Sequence, residues 1–222
     1  MKVVDLTHTI SENMPVYPGT EGPKLEIANT YKKDGFKETL LTMFSHTGTH
    51  MDSPAHLFAE RTSLDLFPVQ QFIGKALVID CSDLQEGERI TMNHIESVKE
   101  KADKAEFILF YTGWDKLWGT SSYFGRYPYI TEEVAEYLIY SKKKGVGLDV
   151  IGIDPISDKN LIIHRKLFCK TDIVIIENLT GLGTIGNDLF TFCALPIKYE
   201  NSDGAPIRCV AILDEKYKFM ER

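Results

Sequence analysis

The chain has 222 residues, with 25 Lys and Arg against 32 Asp and Glu, a formal charge of −7. That balance leaves no basic excess to neutralise a phosphate backbone and argues against a nucleic-acid partner. With 43% hydrophobic and 26% charged residues, the composition excludes a disordered or fibrous chain and predicts one globular domain over residues 1–222.

The start, MKVVDLTHTI, carries Asp5 and His8 where a secretory signal needs its apolar stretch, and no later run reaches 18 apolar residues. A cytoplasmic protein without membrane spans is expected. Cys81, Cys169, Cys193 and Cys209 are scattered without a CxxC pair, the pattern of reduced thiols.

In chain order, residues 2–10 alternate loosely as a strand, and ENMPVYPGTEGP then packs three prolines and two glycines into a loop. Residues 38–47 read as a strand running into SHTGTHMDSPAH, and KALVIDC at 75–81 as a second strong strand. Thr91 caps a short helix over 92–102, with Ile95, Val98 and Ala102 on one side. EFILFYTG at 106–113 is a compact apolar strand, and the aromatic stretch after it, with Trp114, Trp118, Tyr123 and Phe124, is a loop. Thr131 caps a helix over 132–144 that closes on Lys142, Lys143, Lys144 and Gly145. Four strands follow, in GVGLDVIGIDP, DIVIIENL, FTFCALPIKY and PIRCVAILDE; Pro196 ends the third or leaves it at an edge. Seven or eight strands with only two clear helices predict an α/β, strand-rich domain with a mixed or antiparallel sheet and flanking helices. A doubly wound parallel sheet would need a crossover helix nearly every time.

Three of the six histidines fall within eleven residues, at His46, His50 and His56, with Asp52 among them. On an extended segment His46, Gly48, His50 and Asp52 face one way. A straight strand would hold the His46 and His50 Cα atoms about 13 Å apart, so the chain must bend, and Gly48 is the residue that permits it. Imidazoles with a carboxylate suit zinc and, with more oxygen, manganese or iron; the alternative is a polar turn whose histidines bond locally. Glu177 ends the apolar run DIVII, where a lone carboxylate is costly to bury unless paired or bound to metal; the alternative is a surface acid at the strand end. Asp154 also follows an apolar strand, where it holds a ligand imidazole or simply forms an Asp-Pro turn. His8 reads as an inward histidine or a pocket wall, and His94 as a surface residue.

The run His46-Thr-Gly48-Thr49-His50-Met-Asp52-Ser-Pro54-Ala-His56 resembles the HxGTHxDxPxH signature of the cyclase family of metal-dependent hydrolases, which includes bacterial kynurenine formamidases. The likeness extends to DLTHTI, PVYPG at 15–19, TGWDKLWG at 112–119, GIDPIS at 152–157 and HRKLF with IIENL at 164–179, nearly the whole chain. It implies the swivelling β/β/α fold of that family. It also implies two divalent ions, zinc first and manganese as the alternative, held by His46, His50, Asp52, His164 and Glu177, with Asp52 and Glu177 bridging. His56 is the implied acid/base group. His164 and Glu177 are 13 positions apart, one more than the family spacing, so a residue has entered the CKTD turn.

Such a centre implies hydrolysis of a small carbonyl compound. The expected substrate is N-formyl-L-kynurenine, with a lactam such as isatin as the alternative and a noncatalytic metal-stabilised binding protein as the third reading. Tyr17 stands where the formamidases carry a ring-stacking tryptophan, and Trp114 is the other candidate substrate contact; core or loop packing is the competing account of Trp114. Gly181-Leu-Gly183-Thr-Ile-Gly186 spells GxGxxG, but an apolar strand-like run containing a proline follows in place of a helix, which argues against a dinucleotide site. Self-association, at least as a homodimer, is implied by the family alone.

Overall fold

Alternating apolar side chains build the architecture of this protein, seen in a computed structural model that describes residues 1–214. Strand β1 (Lys2–Asp5) precedes a hairpin of β2 (Lys24–Asn29) and β3 (Glu38–Thr42), with α1 (Tyr31–Asp34) between its strands, and then the short β4 (His50–Asp52). The middle of the chain forms β5 (Ile73–Asp80), β6 (Arg89–Ile90), α2 (Met92–Glu96), α3 (Lys99–Lys104), β7 (Phe107–Tyr111), β8 (Tyr129–Ile130), α4 (Glu132–Tyr140) and β9 (Gly145–Leu148). Helix α5 (Ile162–Phe168), β10 (Val174–Glu177), β11 (Phe190–Pro196) and β12 (Gly204–Leu213) complete the described fold.

Eight strands share one sheet in the order β1-β12-β11-β5-β7-β9-β10-β4, and β12 also pairs with β4, so the sheet closes on itself like a barrel. Strands β5, β7, β9 and β10 are parallel, joined by crossovers that carry α2 with α3, then α4, then α5. Pairings of β4, β11 and β12 with their other neighbours are antiparallel, giving the mixed sheet expected from the strand-to-helix ratio. Ala76, Val78, Phe107, Leu109, Val174, Ile176 and Phe192 fill the interior. The alternate positions Leu77, Ile79, Ile108, Phe110, Val146 and Leu148 face outward and meet Val134 and Leu138 of α4 and Leu167 and Phe168 of α5. Burial on both faces explains why these strands read as continuous apolar runs.

The alternation of β9 puts Gly145 inside. A Cβ there would approach the Phe107 ring at 2.8 Å and the Val174 side chain at 2.9 Å. Gly145→Ala is therefore expected to cost about 1–3 kcal/mol of stability through overpacking, read as a lower denaturation midpoint with an unchanged m value.

Four elements differ from their predicted spans. The first strand stops at Asp5, although Leu6 N–H still reaches the Cys209 carbonyl and Thr7 bridges to Leu179. The strand predicted over 38–47 ends at Thr42, where the chain turns toward the histidine loop. The helix over 92–102 is two helices, broken at Val98, whose ψ of 22° leaves the helical region, with Ile95 and Ala102 fully buried on either side. The helix over 132–144 ends at Tyr140 because Lys142 takes a φ of 52° and Lys143 turns inward. The Lys143 ammonium donates to the Ala102 and Ala105 carbonyls at 2.6 and 2.7 Å, capping α3 instead of extending α4. No helix among the described residues is long and apolar enough to cross a membrane.

Candidate metal centre

The same alternation that fills the barrel points the charged residues out of it. In β4, Met51 is buried in the interior, so His50 and Asp52 project from the opposite face, the one covered by the helices. Register then assembles the site: His50 lies opposite Glu177 of β10, and Asp52 opposite Gly204 of β12. The bend before β4 falls at Gly48, with φ of +66°, and brings the His46 and His50 ring centroids to 5.2 Å. His46 packs over Gly204, where a Cβ would lie 2.5 Å from the imidazole, so that position admits only glycine without displacing the ring. His164 arrives from the first turn of α5. The Asp154 carboxylate accepts from the Ile163 and His164 backbone N–H groups at 2.8 and 3.0 Å and from His164 Nδ1 at 2.7 Å.

Asp52 is the hub of this cluster. Its Oδ1 is 2.6 Å from His46 Nδ1 and 3.2 Å from His50 Nε2, and its Oδ2 is 3.4 Å from His164 Nε2. Glu177 closes the other side, with Oε2 3.4 Å from His50 Nε2 and Oε1 3.4 Å from His164 Nε2. Ligands held tetrahedrally at about 2.0–2.1 Å from a zinc-like ion stand about 3.3–3.4 Å apart, so most of these edges have the length of a coordination polyhedron. Two three-residue groups, His46/His50/Asp52 and Asp52/His164/Glu177, share Asp52 and have ligand atoms within 4.8 Å of one another. The donor set fits a pair of divalent cations. His50 Nδ1 donates to the Gly48 carbonyl at 2.9 Å and His164 Nδ1 to Asp154, which leaves both Nε2 atoms facing the shared carboxylates, where a cation would replace the Nε2 protons.

The electrostatics agree. Burial opposes the charged form of every ring here, yet the Asp52 carboxylate and its neighbours outweigh it, pushing His46 up to about 10 and raising His50. His164 is likewise raised against burial, by Asp154, Asp52 and Glu177. Asp52, although buried, is held well below the usual carboxylate range by His46 and His50. Clustered imidazolium and carboxylate groups form a cavity of opposite charges that a cation can reorganise by displacing protons.

His56 stands beside this set rather than within it. It ends the 3₁₀ turn Pro54–His56, its ring centroid is 4.1 Å from that of His46, and its Nδ1 is 3.7 Å from Asp203 Oδ2. Burial lowers its pKa below the ordinary histidine value, so the free base dominates at neutral pH. All six residues border one open cleft of about 1080 Å³. Tyr17, 44% exposed, lines its rim together with Val16, Pro18 and Phe44.

Trp114 is elsewhere. It does not line the cleft; its indole N–H donates to the Tyr123 carbonyl at 3.0 Å and its ring meets Tyr127 edge-on, so the packing account describes its position. The residue most clearly missed in the sequence is Asp203, whose Oδ2 is 3.0 Å from His46 Nε2 and which precedes Gly204 at the start of β12. Nothing local marks SDGAP as part of a histidine site; only the pairing of β12 with β4 brings it there.

Removing the carboxylate of Asp154 tests how the ligands are oriented. Asp154→Ala is expected to weaken cation binding on the His164 side by roughly 10- to 100-fold while leaving the His46/His50 side close to wild type. Stepwise metal titration against a chelator resolves the two.

Fold and site together define a metal-dependent hydrolase class, and the comparisons agree: the chain belongs to the Cyclase family, described as “Putative cyclase”, whose profile matches residues 4–155. An uncharacterized protein of Methanocaldococcus jannaschii is 34% identical over 96% of this chain and all of its own length. A kynurenine formamidase of Bacillus cereus is 30% identical over 93% of this chain and 95% of its own length. An isatin hydrolase bound to the product analogue thioisatinate shares the fold, with a TM-score of 0.85 at 24% identity over 96% of this chain and 92% of that one.

Proposed function

We propose that this protein hydrolyses the amide bond of a small uncharged cyclic or aryl amide, with a lactam such as isatin as the first substrate. The reading is carried by one observation: Asp52 and Glu177 each present both carboxylate oxygens to imidazole nitrogens at 2.6–3.4 Å, with His56 beside them next to Asp203. His46, His50, Asp52, His164 and Glu177 would hold two divalent ions, zinc before manganese, which supply a lowered water pKa and a polarised carbonyl when bound.

The chain's own groups do the rest. His56, neutral at working pH, takes the proton of the attacking water as its oxygen joins the carbonyl carbon. The same imidazolium then delivers a proton to the departing nitrogen as the C–N bond breaks, which prevents expulsion of an unstable amide anion. Asp203 lies within reach of the charged His56 ring and stabilises it between the two transfers.

Charge favours a neutral substrate. Six acids line the cleft (Glu21, Asp52, Asp154, Asp158, Glu177 and Asp203), and Lys159 is the single Lys or Arg among the described lining residues. Two divalent ions would balance the inner carboxylates but leave Glu21, Asp158 and Asp203 against any carboxylate on a substrate, and the carboxylate product of ring opening meets the same repulsion on its way out. N-formyl-L-kynurenine is the second reading, supported by the 30% identity to a kynurenine formamidase and by Tyr17, an aromatic ring at the rim of the cleft. A cytoplasmic homodimer belongs to the same reading: Ile27, Leu40, Leu41 and Phe44 stand exposed on and beside the β2–β3 hairpin, and Phe44 also lines the cleft.

Assays of the metal-loaded protein on isatin and on N-formyl-L-kynurenine, followed by absorbance, separate the readings. Faster turnover of isatin supports the lactam and the reverse order supports the formamide. Two bound ions with turnover of neither would overturn both substrates and favour a noncatalytic binding role.

A further inference from the structure

We infer that Asn178, held by Tyr123, is a positioning residue that aims His50 at the cation site; the inference rests on the metal-hydrolase reading above. Asn178 follows Glu177 directly, is 4% exposed, and has a φ of 58°. A left-handed backbone is uncommon at a residue with a Cβ, less so for asparagine, and the bonds around Asn178 hold it there. Four bonds do so here. Its N–H donates to the Val150 carbonyl at 2.9 Å and its carbonyl accepts the Thr49 hydroxyl at 2.6 Å. Its side chain takes the Tyr123 hydroxyl proton on Oδ1 at 2.6 Å and donates from Nδ2 to the Gly48 carbonyl at 2.9 Å.

The Gly48 carbonyl is the link to the centre, because it also accepts from His50 Nδ1 at 2.9 Å. A carbonyl only accepts, so Nδ1 carries a proton and the ligating lone pair is left on Nε2. Gly48 has the least intrinsic restraint on its backbone of any residue in the loop, and its peptide plane is free to turn unless something outside the loop holds it. The Asn178 amide does so, and its own orientation is set in turn. With Nδ2 and Oδ1 exchanged, two acceptor oxygens would face each other at Gly48, and the Tyr123 hydroxyl would lose its acceptor. Tyr123 is fully buried, burial keeps its phenol protonated, and its ring meets Trp118 edge-on at 5.1 Å, with Trp118 stacked on His8 at 3.8 Å. The aromatic loop therefore supports a metal ligand from behind, without touching the cleft.

Two substitutions isolate the effect. Asn178→Gly removes the amide while keeping a residue that tolerates positive φ, and Tyr123→Phe removes only the hydroxyl. The experiment titrates metal-free full-length protein with Co²⁺ against a competing chelator, records the visible cobalt spectrum, and measures thermal melting of the metal-free proteins in parallel. Each variant is expected to weaken one of the two binding steps by roughly 10- to 100-fold and alter the cobalt spectrum of that step. The double variant is expected to bind no more weakly than Asn178→Gly alone, because both changes act through one chain of bonds. Wild-type cobalt affinity and spectrum in both variants, even with lowered melting temperatures, would make the cluster purely architectural and overturn the inference. Failure of the wild-type protein to take up two ions would instead overturn the metal reading on which it stands.

Discussion

Turnover of the His56→Ala variant is expected to fall roughly 100-fold or more with metal content close to wild type. The separation follows from geometry. His56 makes no carboxylate contact of the kind that joins His46, His50 and His164 to Asp52; its nearest acid is Asp203 at 3.7 Å, and its ring is partly open to the cleft. Its lowered pKa, caused by burial against a smaller opposing pull from Asp52, fits a base that is free at neutral pH and must gain its proton from the reaction. Metal analysis alongside kcat decides the matter. Equal loss of metal and activity would turn His56 into a ligand, for which His46 and Asp203 are the available companions.

Asp52→Asn is expected to do more, because one carboxylate serves both groups of ligands. Leaving buried partners without their opposite charge costs about 3–5 kcal/mol, which taken up in binding is a loss of cation affinity of roughly 100- to 4000-fold, and both binding steps are expected to weaken together. The pH dependence has a definite sign. His46 is raised from 6.5 to about 10 and His164 well above the ordinary histidine value, so the metal-free protein carries these two rings protonated at pH 7, and His50 is raised in the same direction by Asp52 against its burial. Cations bind the free bases, so metal uptake is expected to release protons, and affinity is expected to fall as pH falls. In the metal-free protein the His46 contribution to stability is fully present below pH 6.5 and lost as pH rises through about 10. Asp52→Asn is expected to flatten that decline. Calorimetry in buffers of different ionisation enthalpy measures the proton release, and melting of the metal-free proteins between pH 7 and 10 measures the rest. Uptake without proton release would refute the charge state assigned to the site.

Local features were legible and distant ones were not. The residues from His46 to His56 could be read as a candidate site because four of its chemical groups lie on one short segment and because Gly48 betrays the bend between them. Glu177 was legible for another reason: a carboxylate at the end of an apolar strand has to be compensated. Asp203 and Gly204 carry no such mark, since a short polar turn before a strand is ordinary until β12 pairs with β4. Gly145 resembles any helix terminator, and only the Phe107 ring on the neighbouring strand β7 gives it a packing role. Trp114 was ambiguous, because a bulky ring in an aromatic loop suits a pocket wall and a loop core equally well until its indole N–H finds the Tyr123 carbonyl.

The sequence by itself determined the candidate ligand set, the bend at Gly48, the mixed strand-rich class and the net negative charge, all properties of residues near one another or summed over the chain. Tertiary structure decided which oxygens face which nitrogens, that the centre lies outside the barrel under α5, and that Asp154, Asp203 and Asn178 hold the rings in place. The reason is register. A side chain's face follows from its own strand, but its partners follow from the neighbouring strands, and His50 opposite Glu177 and Asp52 opposite Gly204 are matches between segments more than 120 residues apart.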